Sequence, residues 1–238
     1  MMPTAHQLYD VIDSTWPAAS YQTIGPWLIR EGRGGGQRVS ATIANGPFND
    51  TDIATAEQAM QALDQPSIFM IRAGDDALDA ALAARGYPIV DPVNLYVTPT
   101  DQLATERPPR VTAFCVWPPL AIQHDIWAKG GIGAGRIDVM LRAKDPKTTI
   151  LGRLNDHPAG TAYVGIHQGI AMLHALEILP HQRKQRMGVY AMRQAGFWAQ
   201  ENGARYFSVV CTQANAGANA LYSSLGMALV GQYHYRRK

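Results

Sequence analysis

Hydrophobic and polar positions follow two different periods along this chain, and their alternation predicts its secondary structure. Short apolar runs predict strands, and apolar residues three or four positions apart predict helices. In the first hundred residues the predicted strands are 27–30, 38–43, 67–72 and 89–97, and the predicted helices are 54–63 and 75–85. Gly86 follows the second of these helices, where a left-handed residue commonly ends a helix. Helices and strands that alternate in this way indicate an α/β or α+β fold.

A polar segment rich in proline, 98–110, shows neither period and divides the chain into two predicted lobes, 1–100 and 110–238. The second lobe has more predicted elements than the first. Its strands are 111–117, 149–155, 161–167, 170–179, 206–211 and 228–235, and its helices are 120–129, 136–141, 188–200 and 216–225. We therefore expect a smaller α/β lobe followed by a larger one.

The two lobes share a short internal similarity. The ten residues 81–90 overlay residues 221–230, which aligns Leu82 with Tyr222 and Gly86 with Gly226. If the similarity reflects a duplication, the first lobe lacks whatever the Tyr222 hydroxyl does.

Composition narrows the class of protein. Of the 238 residues, 47% are hydrophobic and 17% are charged, and the mean hydropathy is -0.15, which excludes a disordered, charge-rich chain. No apolar run approaches the roughly 18 residues that a membrane span needs, and the first residues lack a secretory signal pattern, so we expect a cytoplasmic protein. The net charge of +2 does not favour nucleic acid as a partner. Cys115 and Cys211 lie in apolar, strand-like runs, which favours buried free thiols over a disulfide.

A strand at 170–179 leads through Pro180 and a basic loop into the helix at 188–200. Exposed N–H groups at the start of that helix, together with its dipole, suit a pyrophosphate. Arg183, Lys184 and Arg186 add positive charge. The alternative is an ordinary strand-to-helix turn with solvated basic residues.

A second motif near the C-terminus changes the balance between these alternatives. Together with the basic loop, it resembles the acyl-CoA-binding core of the GNAT superfamily of N-acetyltransferases. That core has Arg/Gln-x-x-Gly-x-Gly/Ala at the start of a helix, followed by a strand and Asn-x-x-Ala-x-x-Leu-Tyr-x-x-Leu-Gly-Phe. The matching positions are Arg183, Gly188, Asn215, Ala218, Leu221, Tyr222, Leu225 and Gly226, whereas Arg186 replaces the first glycine and Met227 replaces the phenylalanine. The resemblance covers roughly residues 149–238.

The resemblance implies a fold, a cofactor and a set of site residues. The fold would be a mixed, mostly antiparallel sheet flanked by helices, with the first lobe a degenerate copy. Acetyl-CoA would be the acyl donor. Its pantetheine arm would bind the backbone of Leu176, Glu177 and Ile178 and the side chain of Asn215, and its pyrophosphate would bind the amides of Arg183, Lys184, Gln185, Arg186, Met187, Gly188 and Val189. Tyr222 would protonate the departing thiolate after an amine attacks the thioester, where the alternative is a core aromatic.

The incoming amine must lose a proton, and two residues of the 170–179 strand are candidates for the catalytic base. His174 and Glu177 are three positions apart, so they lie on opposite faces of a regular strand unless a bulge intervenes. We expect at most one of them to face the acceptor. The alternatives are a core histidine, a satisfied buried carboxylate and a chain of water molecules.

Other candidate sites are weaker. Residues 32–36 and 130–135 are glycine-rich, but the first precedes a predicted strand and the second follows a helix, which argues against phosphate cradles. The seven histidines show no His-x-x-x-His pair, so we predict no metal. At Arg186 we expect a negative φ, because a left-handed non-glycine residue costs on the order of 1–3 kcal/mol.

The sequence therefore predicts an acetyl-CoA-dependent N-acetyltransferase that acts on a primary amine of a small molecule. Residues 127–136, and the first lobe, would shape the acceptor pocket. Two alternatives stay open: a non-catalytic acyl-CoA-binding sensor or scaffold, and a protein-interaction module. The sequence leaves the acceptor, the oligomeric state and the use of longer acyl groups open.

Overall fold

The computed structural model describes residues 2–238, which form two connected sheets with helices on both faces. The α-helices are α1 (Ala5–Thr15), α2 (Gln37–Ser40), α3 (Asp50–Ala62), α4 (Asp76–Ala84), α5 (Thr100–Leu103), α6 (Ala121–Lys129), α7 (Ala134–Arg142), α8 (Met187–Glu201) and α9 (Ala216–Ser224). The strands are β1 (Ser20–Ile24), β2 (Trp27–Glu31), β3 (Ile43–Ala44), β4 (Ile68–Ile71), β5 (Ile89–Pro99), β6 (Ala113–Val116), β7 (Lys147–Leu154), β8 (His157–His167), β9 (Ile170–Ile178), β10 (Tyr206–Thr212) and β11 (Ala228–Arg237).

The larger sheet has eight strands in the order β4-β11-β5-β10-β9-β8-β7-β6. Neighbours run antiparallel except β9 and β10, which are parallel. A three-stranded sheet, β1-β2-β3, adjoins it through a parallel bridge between Thr42 and Phe69. The predicted fold class, a mixed and mostly antiparallel sheet flanked by helices, is confirmed.

Helices cover the second half of the sheet from opposite sides. Side chains that alternate along a strand point to opposite faces, and on β8 Ala162 and Val164 pack in one buried cluster with α8. Between them, Tyr163 packs in another cluster with Trp127 of α6 and Val139 of α7. The face that carries α6 and α7 is also the face that meets the first lobe, through Trp16 and Val39.

The two predicted lobes share strands rather than standing side by side. The last strand, β11, lies between β4 and β5, and β5 lies between β11 and β10. Each lobe therefore contributes a strand to the other's part of the sheet. The segment predicted as a boundary, 98–110, contains the short helix α5. The sheet continues across this segment. That the chain has two domains which meet here stays a prediction.

The internal similarity corresponds to two matching helix ends. At the end of α4, Gly86 has φ +77° and the N–H of Tyr87 donates to the Leu82 carbonyl across 3.0 Å. At the end of α9, Gly226 has φ +74° and the N–H of Met227 donates to the Tyr222 carbonyl across 3.2 Å. These are the bonds of a left-handed helix cap, which glycine adopts without a Cβ penalty. Each helix then leads into one of the two exchanged strands.

The strand predicted at 38–43 is wrong over most of its length. Gly36, with φ +93°, precedes the helical turn α2, and only Ile43 of the predicted range lies in a strand, β3. The apolar alternation of such a short run cannot distinguish a strand from a helical turn.

Helix α1 and strand β1 had no sequence prediction, although the Thr4 and Gln7 side chains form a capping box at the start of α1. Cys115 and Cys211 are both free thiols, as predicted. They are not fully buried, because Cys115 is exposed and Cys211 is half-buried.

Candidate active site

Strands β9 and β10 separate halfway along their length. They pair in parallel from Ile170 with Tyr206 to Leu173 with Val209. Beyond that point β9 stays paired with β8, and β10 stays paired with β5 as far as Thr212. A wedge-shaped gap therefore opens between the two strands. Along this gap, the backbone groups of β9 and β10 that face each other form no strand-to-strand hydrogen bonds. A wedge of this kind can accept an extended ligand through backbone hydrogen bonds.

A bulge in β9 lies beside this wedge. Across the ladder His174 pairs with Tyr163, and Glu177 pairs with Thr161, so the stretch on β9 contains one residue more than the stretch on β8. Ala175 has φ +51°, the left-handed conformation that such an extra residue often takes. The extra residue shifts the alternation of side chains along β9 by one position. His174 and Glu177 therefore lie on the same face of the sheet. The bulge, which the sequence analysis named as the exception to opposite faces, is therefore present.

His174 is enclosed rather than open to an acceptor. Its side chain is 4% exposed and lies 5.0 Å from the Trp16 ring. Arg38 donates from Nη1 to Nδ1 across 3.0 Å, so the ring proton resides on Nε2 and is donated to the Thr15 hydroxyl, 2.8 Å away. Burial, and then the nearby Arg38 charge, hold the pKa of His174 well below its usual value. Both ring nitrogens are thus occupied, and His174 positions its neighbours instead of serving as the predicted base.

Glu177 lies at the open end of the bulge. It forms an ion pair from Oε1 to Nη2 of Arg183 across 3.2 Å, and its side chain is 18% exposed. A Cβ added to Gly130 would come within 2.4 Å of Glu177 Oε2, so the end of α6 packs directly on this carboxylate. Trp127 of α6 also donates from Nε1 to the Ala175 carbonyl across 2.8 Å. Of the two predicted bases, Glu177 is the one with a partly exposed carboxylate.

The basic loop ends in a left-handed residue at the start of α8. Lys184 has φ +60° and Arg186, the N-cap, has φ +64°. The expected negative φ at Arg186 is therefore wrong. No side chain caps α8, and its first backbone bond runs from the Tyr190 N–H to the Arg186 carbonyl. The N–H groups of the first turn point out of the helix without an intrahelical acceptor, as an anion site requires.

Gly188 sits in that first turn because two helices meet there. A Cβ at Gly188 would lie 3.0 Å from Cδ2 of Leu221 on α9. A larger residue would push the start of α8 away from α9. The predicted pyrophosphate loop and the helix that carries Tyr222 are thus held in contact.

Tyr222 lies on α9, buried between the helix and the sheet. Its side chain is 4% exposed, and its ring centroid is 5.8 Å from that of Tyr96 on β5. It packs in one cluster with Leu173 and Val209, the last pair of residues before the strands separate. Burial, with a smaller effect from Cys211, raises the pKa of Tyr222 above its usual value. The phenol is therefore protonated at neutral pH.

Asn219, which the sequence did not single out, fixes the helix that carries Tyr222. Its Oδ1 accepts from Nδ2 of Asn94 and from the Tyr96 hydroxyl, at 2.8 and 2.9 Å. Its Nδ2 donates to the Thr212 carbonyl at the end of β10, at 3.0 Å. Asn215 caps α9 instead, because its Oδ1 accepts from the Ala218 N–H. An asparagine inside a helix, where its propensity is low, was the available signal.

A pocket of about 220 Å³ opens where the two strands separate. Ala175 of the bulge and Thr212 of β10, on the two sides of the separation, both line it. The remaining lining residues come from both lobes: Trp16, Gly35, Gly36, Gln37, Arg38, Asp91, Val93, Ile132, Arg136, Tyr233 and Tyr235. The two glycine-rich segments meet at this wall, because a Cβ on Gly135 would lie 2.6 Å from the Gly34 backbone.

Known proteins share this arrangement. The model of the acetyltransferase (GNAT) family matches residues 116–227, which include the bulge, the loop and α9. This part of the chain, slightly less than half of it, is thus similar to GNAT acetyltransferases. The chain is 27% identical over 239 residues to the uncharacterized N-acetyltransferase YobR of Bacillus subtilis, a match that covers 94% of this chain and 95% of YobR.

Solved structures with the same fold cover both lobes. A GCN5-related N-acetyltransferase from Kribbella flavida superposes with a TM-score of 0.76 at 21% identity, over 100% of this chain and 96% of that one. A tandem GNAT protein from the clavulanic acid biosynthesis pathway superposes with a TM-score of 0.60 at 12% identity, over 83% of this chain and 75% of that one. The two-lobed layout is thus found in other GNAT folds.

Members of the GNAT family that matches residues 116–227 take an acyl-CoA donor and an acceptor. Within residues 2–238 no three His, Cys, Asp or Glu side chains come together as a metal site would require. No helix in the same range is long and apolar enough to span a membrane.

Proposed function

We propose that this protein is a GNAT enzyme that transfers an acetyl group from acetyl-CoA to a primary amine of a small molecule, by direct attack of the amine on the thioester. The proposal rests on one relationship above all. Tyr222 lies in one buried cluster with Leu173 and Val209, the last pair before β9 and β10 separate, and Ala175 and Thr212, beyond that pair, line the pocket. A donor that enters along the wedge would place its thioester between the phenol and the pocket.

In this proposal the donor is held mainly by backbone. Leu176, Glu177 and Ile178, beyond the bulge, offer β9 backbone groups to the pantetheine arm. The pyrophosphate lies at the uncapped start of α8, where the amides of Met187, Gly188 and Val189 meet the positive end of the helix dipole. Arg183, Lys184, Gln185 and Arg186 form the loop above it.

Tyr222 would act as general acid when the thioester breaks. The amine nitrogen bonds to the carbonyl carbon, the C–S bond breaks, and the thiolate takes the phenol proton to become free CoA. Because burial raises the pKa of Tyr222, the phenol holds its proton until negative charge develops on sulfur. Solvent then restores the phenol proton.

Glu177 would receive the proton that the attacking amine loses, directly or through a water molecule. Its carboxylate is partly exposed and lies two residues from Ala175, the bulge residue that lines the pocket. Asn215 would contact the pantetheine arm from the start of α9. A direct contact by His174 is not part of this mechanism, because both its ring nitrogens are occupied.

The size of the pocket supports a small acceptor. Its volume of about 220 Å³ is below the roughly 300–1,000 Å³ of pockets that take drug-sized ligands. Part of the wall comes from the first lobe, which in this proposal is a degenerate copy that shapes the acceptor site.

The test measures thiol release from acetyl-CoA with a pooled library of primary amines, beside calorimetry with CoA. We expect CoA to bind and at least one amine to accelerate thiol release. At 100 times its dissociation constant, CoA should also stabilise the fold by about 2.7 kcal/mol. CoA binding without release in any pool would favour a sensor over the proposed reaction.

A further inference from the structure

The acceptor pocket is lined by two arginines that have no carboxylate partner among the described residues. Arg38 of α2 and Arg136 of α7 both line it. Within residues 2–238, neither guanidinium forms an ion pair with Asp or Glu, whereas Arg30 and Arg33 of the same region do. The acidic residue of the lining, Asp91, is exposed and accepts from Gln37 Nε2 at 2.8 Å.

Arg38 is the more informative of the two arginines. Its Nη1 is bonded to neutral His174, and its Nε is buried without a partner in the described chain. The guanidinium also lies 5.8 Å from the Trp16 ring centroid, a contact that offsets only part of the cost of removing a charge from water. Arg38 as a whole is half-buried, and a guanidinium that is partly removed from water is stabilised by a charged partner. An anion that enters the pocket would complete the pair.

Two tyrosines of the lining lie close to the Arg38 guanidinium. Tyr233 and Tyr235, 3% and 4% exposed, both line the pocket, and both hydroxyls are within reach of Arg38. A hydroxyl is a neutral partner and leaves the charge of the guanidinium uncompensated. The wall around Arg38 is therefore polar, as the binding of an anion requires.

The close packing of the two glycine-rich segments brings the arginines to one wall. A Cβ on Gly36, which has φ +93°, would lie 3.3 Å from Arg136 Nε. The φ of +93° favours glycine at this position, and the loop before Arg38 lies next to the Arg136 side chain. The segment at 32–36 thus places charged side chains instead of cradling a phosphate.

We propose that the acceptor amine also carries an anionic group, a carboxylate or a phosphate, which binds between Arg38 and Arg136, beside Tyr233. The inference rests on the proposed acetylation of a small amine and adds a chemical class to it. The amine end of such an acceptor reaches Ala175 and Thr212, where the donor thioester would lie, and the anion stays toward the first lobe.

The experiment uses amines in pairs that differ in the anion alone. The full-length protein, saturated with CoA or acetyl-CoA, is titrated with 4-aminobutanoate against 4-aminobutanamide, β-alanine against β-alaninamide, and 2-aminoethyl phosphate against ethanolamine. Calorimetry measures binding and thiol release measures turnover. The carboxylate and phosphate pairs distinguish the two kinds of anion.

Three variants separate the anion site from general damage to the fold. We expect Arg136→Gln and Arg38→Gln to weaken binding of the preferred anionic amine by about 10- to 100-fold, as for lost hydrogen bonds to a charged group. The matched neutral amine should change less than about threefold. Arg33→Gln is the control, since Arg33 is exposed, pairs with Glu31 and lies outside the pocket lining. Arg136 is exposed, so its variant tests the site even if the Arg38 variant does not fold.

The outcomes distinguish this inference from the proposed function. Anionic amines that bind through Arg136 but are not acetylated would support the anion site and contradict the small-amine acetyltransfer. Neutral amines that are acetylated as well as their anionic partners would support acetyltransfer and overturn the anion site. Failure of all three anionic amines to bind would also overturn it.

Discussion

Arg38 of the first lobe donates a hydrogen bond from Nη1 to Nδ1 of His174 in the second lobe, across 3.0 Å. This contact fixes the tautomer of a buried imidazole beside the β9 bulge. It also joins the element that carries the unpaired guanidinium to the strand that carries Glu177. The first lobe is therefore part of the site and not merely attached to it.

The buried imidazole should make stability depend on pH. The pKa of His174 is lowered in the folded state, chiefly by burial and then by Arg38, so the unfolded chain binds the proton more readily. Stability is then complete above the unfolded value of about 6.5 and falls as the pH drops below it, by at most about 1.4 kcal/mol per pH unit.

Thermal unfolding of the wild type and of His174→Gln between pH 8 and pH 5 measures this effect. Glutamine can accept from Arg38 and donate to Thr15, so the variant should fold. We expect a steeper loss of unfolding temperature below pH 6.5 in the wild type than in the variant. Parallel curves would mean that His174 does not contribute.

Replacing Tyr222 with phenylalanine should separate chemistry from binding. We expect Tyr222→Phe to keep the CoA dissociation constant within about threefold and to lower kcat by roughly 10²-fold, because a general acid is lost while the packing of the ring is kept. Single-turnover thiol release and calorimetry measure the two quantities. Unchanged kcat would make Tyr222 a core aromatic, equivalent to Leu82 in the first lobe.

The two helix ends show how much of the site the sequence could predict. The motif from Asn215 to Met227 has a fixed spacing, so α9, its glycine cap and the place of Tyr222 follow from the sequence. The β9 bulge depends on a register between strands, which no local pattern around Ala175 specifies. The same holds for Arg38, which contacts His174 across 136 positions of sequence. Local chemistry was predictable, and contacts between segments distant in sequence were not.

Glu177 can be tested as the proton acceptor through the pH profile. We expect Glu177→Gln to lower kcat/KM by about 10²-fold or more near neutral pH, with partial recovery as rising pH deprotonates the free amine in solution. CoA affinity should stay within a few fold, because the predicted donor contacts at this residue are made by backbone. Glu177→Asp, which keeps the carboxylate, is the control. Full activity of the glutamine variant would assign the proton to a water chain.

The left-handed backbone at Arg186 predicts different effects for glycine and for alanine at this position. Glycine tolerates φ +64°, whereas alanine pays roughly 1–2 kcal/mol there, so Arg186→Gly should be more stable than Arg186→Ala by about 1 kcal/mol in denaturant unfolding. Both variants lose the guanidinium and should bind CoA more weakly than the wild type, with a larger loss at low salt, since salt screens exposed charge. Equal CoA affinity in all three proteins would show that the guanidinium does not reach the phosphates.

The exchanged strands predict that the second lobe does not fold alone. A fragment of residues 105–238 loses β5, which pairs with seven residues of β10 and also with β11. β10 and β11 would then lose the strand that lies between them, and β10, one wall of the wedge, would become an unpaired edge. We expect this fragment to lack a cooperative thermal transition and to give no heat of binding with CoA, whereas a fragment of residues 87–238, which keeps β5, should retain more of both. Cooperative unfolding and CoA binding by the shorter fragment would show that the second lobe is self-sufficient and that the exchange only joins two independent units.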